Sequence, residues 1–365
     1  MKHEIVAQGF VTQRQPGTPV SVTAGSRCVS RGNGELVCSF MGQAAIGHND
    51  FKPMLAWSSD LGTTWTEARL IWPELQDRVS IFGSVSRSPL GDLYFYGMRT
   101  PIAHPGELAW NSEVQGMKQN ELVWSRSVDF GHTWEPLRVI PMPIPGSAEA
   151  AGPMCVTSQG DLVCCYAPYR TFDPAIAVDA NQVVGLLSQD GGRTWSHRPM
   201  LRFPESEANG AEAWVVELSD GRLLGTGWHV HPDGNRSNAY ALSSDRGRTW
   251  SPTGATGTIG QSTGLAALPG GRAAFVYNQR KHGPIGVWLA IAQPSLDSFG
   301  LLFNERIWAA EVASRDGRSA DFSDWTGFAF GEPSATVLPD GDILVTLWCL
   351  QPSGHGIRYV RVRVT

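Results

Sequence analysis

The sequence predicts an all-β fold, a six-bladed β-propeller with four antiparallel strands in each blade. Two internal repeats and the absence of a sustained 3.6-residue apolar period carry this prediction. The chain has 365 residues, of which 42% are hydrophobic, with 41 Gly and 24 Pro. This composition is typical of a folded chain with many turns. Because no linker or composition break divides it, we expect residues 1–365 to form a single domain.

The stronger repeat is an octapeptide with the pattern Ser-x-Asp-x-Gly-x-Thr-Trp. It occurs at residues 58–65, 127–134, 188–195 and 243–250, each time after a strand-like run. We expect the Asp carboxylate to accept hydrogen bonds from backbone N–H groups one or two residues on. The Gly is expected at positive φ, and the Trp is expected to open the next strand and pack between neighbouring sheets. The octapeptide therefore predicts a tight turn between two strands.

The weaker repeat is a Gly turn followed by a β-rich run, and it occurs six times. The turn glycines are Gly34, Gly91, Gly160, Gly221, Gly271 and Gly341. Each unit of about sixty residues reads strand, Gly turn, strand, loop, strand, Asp turn, strand, which is the pattern of a propeller blade. Residues 295–300 resemble a degenerate octapeptide in unit five. The strand-like segments 4–10 and 357–364 are expected to complete one blade shared between the termini, which would hide open edges.

Charge and apolar patterning exclude several classes of protein. The 29 Lys and Arg against 34 Asp and Glu give a net charge of −5, so nucleic acid is not expected as a partner. No apolar run approaches ~18 residues, so no membrane-spanning helix is expected. The first residues lack an apolar signal core, which predicts a cytoplasmic protein, although a secreted mature form also fits. The six cysteines lack paired spacing and are expected to be buried reduced thiols.

The four octapeptides resemble the Asp boxes of the sialidase (neuraminidase) superfamily, and the six units resemble its propeller. The resemblance implies that the Asp boxes are structural and lie away from the active centre. It also implies a site in which three Arg clamp a carboxylate, an Asp serves as acid/base, and a Tyr is activated by a Glu.

The resemblance extends residue by residue to part of that site. Arg27 precedes the first Gly turn, where the family has its first Arg, and Arg280 is a looser match to the third. Asp50, on the loop before the first Asp box, has the placement of the acid/base, with His48 as a rival. Glu212 stands nine residues before Gly221 and matches the family's Glu.

The family pattern is broken in two places. Trp228 and His229 stand where the second clamping Arg is expected, and no Tyr lies near Phe330–Ser334 in unit six. The resemblance therefore does not imply an orthodox sialidase.

Position along the inner strands provides a second, independent argument. Residues at equal distance from the Gly turn share one depth in the channel, and both Glu212 and Glu332 stand nine residues before their turn glycines. Two carboxyl groups, one protonated and one ionised, are what cleavage of a glycosidic bond requires. Asp50 is a third candidate. The alternatives are that either Glu only accepts backbone hydrogen bonds, and that Arg27 is the ion-pair partner of one of them rather than an anion ligand.

Aromatic and basic residues are expected to form the wall of the site. Trp228 and His229 would present flat rings to a sugar, and the residues after the turn in unit three, Tyr166, Tyr169 and Arg170, would extend this wall. His229 and His231 lie on one face of a strand, but no third metal ligand follows by spacing. We therefore expect no metal or cofactor.

These observations predict a sialidase-like glycoside hydrolase that acts on a terminal or acidic sugar in the central channel, with a carbohydrate as its partner. Glu212, Asp50 and Glu332 are the catalytic candidates. Arg27, His48, Trp228, His229, Arg280, Tyr166 and Arg170 are the candidates for substrate binding. The alternatives are a propeller that binds carbohydrate without catalysis and a propeller that serves as a protein-interaction platform.

Overall fold

The computed structural model describes residues 1–234, 236–317 and 322–365. It shows an all-β propeller of six antiparallel sheets, each with four strands along its path. The innermost strands of successive sheets contact one another around a central channel. The predicted fold class and the number of blades are confirmed.

The strands of each blade are given from the innermost to the outermost. Blade 1 contains Val22–Ser30, Leu36–Gln43, Lys52–Ser58 and Arg69–Leu70. Blade 2 contains Val79–Arg87, Leu93–Pro101, Glu121–Ser127 and Arg138–Ile140. Blade 3 has a divided inner strand, Ser147–Glu149 and Cys155–Val156, followed by Leu162–Tyr169, Gln182–Ser188 and Ser196–Arg202.

Blade 4 contains Asn209–Glu217, Leu223–Val230, Ala239–Ser243 and Gly254–Ala255. Blade 5 contains Gln261–Leu268, Arg272–Gln279, Gly286–Ala292 and Leu301–Ala309. Blade 6 contains Phe330–Val337, Ile343–Gln351, Gly354–Val364 and, as its outermost strand, His3–Arg14.

The two ends of the chain close the ring in blade 6. His3–Arg14 pairs antiparallel with Gly354–Val364, from His3 opposite Val364 to Arg14 opposite His355. The predicted blade shared between the termini is therefore confirmed. The pairing joins the first blade-forming segment to the last and covers the outer edge of Gly354–Val364.

The Gly turns and the Asp boxes lie on the same face of the propeller. All six turn glycines have positive φ, from 68° at Gly271 to 103° at Gly91. In the first Asp box, Leu61 N–H donates to the carbonyl of Gly34 at 3.1 Å, so the box packs on the turn of its own blade. Residues 295–300 occupy the same place between the third and outermost strands of blade 5.

The hydrogen bonds inside the Asp boxes differ from the predicted pattern. The Asp60 carboxylate accepts from the backbone N–H of Thr64 at 2.9 Å and from its hydroxyl at 2.6 Å. The bonded residue is thus four positions on, because Leu61 and Gly62 both adopt positive φ and turn the chain back on itself. Each box Trp precedes the outermost strand instead of opening it. The expected packing between blades is confirmed, since Trp65 packs against the core between blades 6 and 1.

Six apolar clusters fill the six boundaries between neighbouring blades. Five of the six cysteines are buried in these regions, Cys155 is half-buried, and all six are free thiols.

The face opposite the Asp boxes carries the elements that shape the site. A small hairpin, Trp110–Asn111 with Gly116–Met117, projects from blade 2, and a 3-10 segment, Phe322–Gly327, precedes blade 6. A second 3-10 turn, Pro73–Leu75, follows blade 1. In the described part of the chain, no helix has the length and apolar character needed to cross a membrane.

Candidate functional site in the central channel

The inner strands of blades 1, 4, 5 and 6 each bulge at the same level of the channel. The residues at the bulges are Gly25, Glu212, Ser262 and Glu332, with φ of 60°, 46°, 57° and 46°. Each stands nine residues before the turn Gly of its blade. Positive φ costs a non-Gly residue of order 1–3 kcal/mol and concentrates at functional sites. A bulge also redirects side chains, and here Glu212 and Glu332 come to line one cavity.

This cavity has a volume of about 150 Å³ and lies at the end of the channel where the inner strands begin. Its wall is mainly aromatic. The aromatic residues are Phe51, Phe82, Trp110, Tyr169, Trp228, Phe322, Trp325, Phe328 and Trp348. Among the described residues of its lining, only Glu149, Glu212, Glu332 and Arg280 carry ionisable acidic or basic groups. Apolar walls with a few convergent polar groups are typical of small-molecule sites.

Glu212 is held from both sides by neighbouring blades. Its Oε1 accepts the hydroxyl of Ser262 in blade 5 at 2.5 Å, and its backbone N–H donates to Oε2 of Glu149 in blade 3 at 2.9 Å. Burial raises the pKa of Glu212 well above its usual range, and the negative charges of Glu332 and Glu149 raise it further. Glu212 is therefore suited to carry a proton at neutral pH.

Glu332 has better support for its anionic form. Its Oε2 accepts the backbone N–H of Gly25 at 2.6 Å. Burial raises the pKa of Glu332, while the positive charge of Arg27, the Gly25 N–H and the charge of Arg280 act in the opposite direction. Glu212 and Glu332 therefore sit in different environments within one cavity, the arrangement that separates an acid from an ionised carboxylate.

Glu149 is the carboxyl group of the cavity that the sequence did not predict. Burial raises the pKa of Glu149 to about 7, with a further contribution from Glu332 and opposing ones from the Glu212 N–H and Arg27. It stands eleven residues before Gly160 instead of nine, because the inner strand of blade 3 is interrupted between Glu149 and Cys155. The sequence did contain a signal for Glu149. It stands two residues before Ala151, the residue nine positions before Gly160, and alternate residues of an extended strand face the same side.

Arg280 supplies the positive charge of the cavity lining. Its Nε donates to the carbonyl of Phe330 at 3.0 Å, its Nη1 donates to Oε1 of Gln261 at 3.0 Å, and its Nη2 also bonds the Phe330 carbonyl. The guanidinium lies over the ring of Phe328 at 3.9 Å. Burial lowers the pKa of Arg280 to about 9, against the attraction of Glu212 and Glu332, so the group remains a cation at neutral pH.

Comparison with known proteins identifies the family. A model of the BNR repeat-like domain matches residues 106–320, more than half of the chain. The chain belongs to the BNR repeat-like domain family. A comparison with curated proteins finds no match.

Solved structures share the fold of this BNR repeat-like protein at low sequence identity. A protein of unknown function from Dyadobacter fermentans has a TM-score of 0.76 at 19% identity, with 100% of this chain and 99% of that chain covered. The Hadza microbial sialidase Hz136 has a TM-score of 0.70 at 18% identity, with coverage of 97% and 68%. The NanB sialidase from Streptococcus pneumoniae has a TM-score of 0.67 at 13% identity, with coverage of 98% and 70%.

In this BNR repeat-like protein Arg27 lies below the cavity and lines the opposite mouth of the channel. Its guanidinium stacks on Trp214 at 4.6 Å and donates to the carbonyls of Ser26, Glu332 and Ala151 at 2.7, 3.1 and 3.1 Å. It therefore links blades 1, 3 and 6. The sequence suggested that Arg27 binds an anion or forms an ion pair. In the structure its hydrogen bonds go to backbone carbonyls instead.

Asp50 and His48 are not among the described residues that line the cavity. The Asp50 Oδ2 accepts the backbone N–H of Ala44 at 3.0 Å and lies 3.8 Å from the ammonium of Lys52. The backbone N–H of His48 donates to the carbonyl of Ala45 at 3.3 Å. Both residues belong to the loop after Gln43, which carries Ile46 and Phe51 into the wall.

The remaining predicted residues divide between the wall, the entrance and the interior. Trp228 lines the cavity, and Arg170 lines an adjoining cleft of about 750 Å³ above blades 3 to 5. His229, the next residue along the strand, faces away and stacks on Phe203 at 4.4 Å. Tyr166 is fully buried in the apolar cluster between blades 2 and 3. Among the described residues, no group of three or more His, Cys, Asp or Glu side chains is arranged so that it could hold a metal ion.

Proposed function

We propose that this chain is a glycoside hydrolase that removes a terminal sugar bound in the central cavity. One observation carries the proposal: Glu212 and Glu332 line the same small aromatic cavity, with different support for their charged forms. Glycosidases use two carboxyl groups in this way, one as an acid and one as an ionised partner. The aromatic wall supports a sugar ligand, because flat rings pack well against the faces of a sugar ring.

In the proposed reaction Glu212 is the general acid. Its proton passes to the glycosidic oxygen as the bond to the anomeric carbon breaks, and the leaving group departs as an alcohol. Glu332 is the ionised carboxylate, and its distance from Glu212 decides its role. It either attacks the anomeric carbon to form a glycosyl-enzyme, which water then hydrolyses with the now ionised Glu212 as base, or it takes a proton from a water molecule that attacks the anomeric carbon directly. Glu149 acts as a positioning residue, because it binds the backbone N–H of Glu212.

The shape of the channel supports removal of a terminal sugar rather than cleavage within a chain. Arg27 is 1% exposed and fills the channel below the cavity, with hydrogen bonds to carbonyls of two other blades. The opposite end opens toward the wider cleft, which shares Trp110, Tyr169, Trp228 and Phe322 with the cavity. A terminal sugar can thus enter the cavity from the cleft, and the rest of the glycoside, which becomes the leaving group, stays in the cleft.

The test is a screen of aryl glycosides at several pH values, with the purified chain and three variants. Glu212→Gln and Glu332→Gln are each expected to lower turnover by about 100-fold or more, with the fold retained. Asp50→Asn makes the same chemical change outside the cavity and is expected to leave turnover within about twofold. Unchanged turnover in Glu212→Gln, or a large loss in Asp50→Asn, contradicts the assignment.

A carbohydrate-binding propeller without catalysis is the second candidate. One observation favours it: the only Tyr in the described lining, Tyr169, already donates its hydroxyl to the carbonyl of Gly210 at 3.0 Å. No Tyr is thus available there in the role that the sialidase resemblance implies. Saturable sugar binding by the unmodified chain, without release of any leaving group, would establish this function instead.

A further inference from the structure

We infer that the cavity selects an uncharged sugar with few hydroxyl groups, of the 6-deoxyhexose class, and rejects sugars that carry a carboxylate. This inference concerns the sugar itself and rests on the proposed function in one respect, namely that the cavity is the sugar site. It differs from the sequence-based expectation of an acidic sugar.

The charges of the cavity disfavour an acidic sugar. Among the described residues of the lining, three carboxyl groups, those of Glu149, Glu212 and Glu332, stand beside one guanidinium, that of Arg280. Mutual repulsion already contributes to the raised pKa of Glu212 and of Glu149. A further carboxylate buried among these groups would pay a desolvation cost without gaining a matching cation.

Neither of the two nearby guanidiniums, Arg280 and Arg27, has its Nε–H and an adjacent Nη–H both free on one edge. The Nε and Nη2 of Arg280 both point at the Phe330 carbonyl, and Nη1 donates to Gln261. Arg27 is outside the lining, and its Nη1 and Nη2 donate to three backbone carbonyls. Its Nε has no partner, but the Nη2 beside it is bound to Ala151. Paired N–H groups on one edge are what allow an Arg to clamp a carboxylate. The described part of the lining therefore offers no paired N–H groups of the kind that an acidic sugar requires.

Neutral polar partners are scarce in the cavity. The neutral hydrogen-bonding side chains in the described lining are Thr23, Gln43 and Tyr169, apart from the indoles. Gln43 donates to the carbonyl of His48 at 2.9 Å, and Tyr169 donates to Gly210, so of these three only the Thr23 hydroxyl is without a partner. A buried hydroxyl without a partner is costly, whereas a methyl group gains from contact with an apolar wall. A sugar with a methyl group in place of a hydroxymethyl group suits this surface.

The experiment uses matched triplets of sugars that differ only in the group at C5: methyl, hydroxymethyl or carboxylate. All members are taken from the D series, so that the configuration of the ring is the same within a triplet. D-Fucose, D-galactose and D-galacturonic acid form one triplet, and D-quinovose, D-glucose and D-glucuronic acid another. D-Rhamnose, D-mannose and D-mannuronic acid form a third, and N-acetylneuraminic acid is added as a separate acid. Binding of the free sugars is followed by the fluorescence of the tryptophans that line the cavity, and turnover by release of 4-nitrophenol from both anomers.

We expect, within the triplet that binds, an order of methyl, then hydroxymethyl, then carboxylate, with the carboxylate about tenfold or more weaker than the methyl sugar. Tighter binding of a carboxylate sugar, or preferential cleavage of its glycoside, overturns the inference but leaves the hydrolase proposal standing. Binding in the expected order without turnover supports the inference about the sugar but contradicts the hydrolase proposal. If no sugar binds, the inference is wrong.

A charge variant gives a second measurement. Glu149→Gln removes one of the three carboxyl groups but keeps an oxygen that can accept the Glu212 N–H. It is expected to narrow the affinity gap between the methyl and carboxylate sugars several-fold at pH 8. Glu121→Gln on the outer surface of blade 2 is the matched control and should leave the gap unchanged. An unchanged gap in Glu149→Gln contradicts the electrostatic argument.

Discussion

The hydroxyl of Ser262 donates to Oε1 of Glu212 over 2.5 Å and thereby connects blade 5 to the carboxyl group of blade 4. This hydrogen bond lowers the pKa of Glu212, against the larger upward effect of burial. Both residues occupy the same level in their strands, and both adopt positive φ. The bulges thus bring a hydroxyl of one blade against the carboxyl group of the next.

Ser262→Ala should therefore raise the pKa of Glu212 further. Because Glu212 is proposed to act as the acid, activity is lost as pH rises through its pKa, and the alkaline limb of kcat/KM is expected to move to higher pH. The pH–rate profile with the best aryl glycoside measures this. Ser334→Ala, which removes a buried inner-strand hydroxyl bonded to Thr346 in blade 6, is the control. A shift of the alkaline limb to lower pH contradicts the prediction.

The burial of Glu149 predicts a pH-dependent cost to stability. Its folded-state pKa is raised from 4.5 to about 7, so the folded state holds this proton more tightly than the unfolded state does. The stability of the folded state is therefore highest below pH 4.5, where Glu149 is protonated in both states, and falls as pH rises through 7. The full decrease corresponds to about 3 kcal/mol. Glu149→Gln should thus be more stable relative to the unmodified chain at pH 8 than at pH 5. Thermal unfolding at both pH values measures the difference, and Glu121→Gln should show none.

Arg27 is expected to be a stability residue that joins three blades. Arg27→Met leaves the carbonyls of Ala151 and Glu332 without these donors and should lower the free energy of unfolding by about 3 kcal/mol. Urea unfolding followed by tryptophan fluorescence provides the measurement. Arg202→Met removes an exposed Arg that is paired with Asp179 and should change stability by less than about 1 kcal/mol. Equal effects of the two substitutions would show that Arg27 has no special role.

The Asp boxes should affect stability without affecting the site. Asp129 accepts hydrogen bonds from Ser127 at 2.8 Å and from the N–H and hydroxyl of Thr133 at 2.8 and 2.6 Å. Asp129→Ala is expected to cost about 1–2 kcal/mol and to leave kcat/KM unchanged, because the box lies on the face opposite the cavity. Val128→Ala, an exposed neighbour, is the control. A tenfold loss of kcat/KM in Asp129→Ala at a temperature where it is folded would contradict this.

The fold was predictable because each blade repeats a turn that depends on a few residues. Gly34 and its five equivalents require positive φ, and the octapeptide fixes the turn before the outermost strand, so sequence spacing gave the number of blades. Counting back nine residues from the turn Gly also placed Glu212 and Glu332 at one level of the channel. This count was valid because the inner strands of both blades bulge at the same position, so the same number of residues spans the same depth. The same count failed for Glu149, since the interruption of the inner strand in blade 3 adds residues that no repeat predicts.

Side-chain direction was harder to predict than strand position. Trp228 and His229 were grouped in one wall, but adjacent residues of a strand face opposite sides. Tyr166 follows a Gly turn, yet it lies on a second strand, whose side chains fill the space between blades. Arg27 stands two residues after the bulge at Gly25, and an extended chain advances about 6–7 Å over that distance. This is sufficient to place its guanidinium beyond the level of the carboxyl groups.

The pairing of residues 3–14 with residues 354–364 has a consequence for how the chain folds during synthesis. Five blades can form in order as they leave the ribosome, but the sixth needs its earliest and its latest strand together. Until residues 354–364 emerge, the first strand has an unsatisfied backbone edge that is open to pairing with another nascent chain. Transient protection of that edge by a chaperone would therefore benefit this molecule more than a propeller whose last blade is built from one contiguous segment.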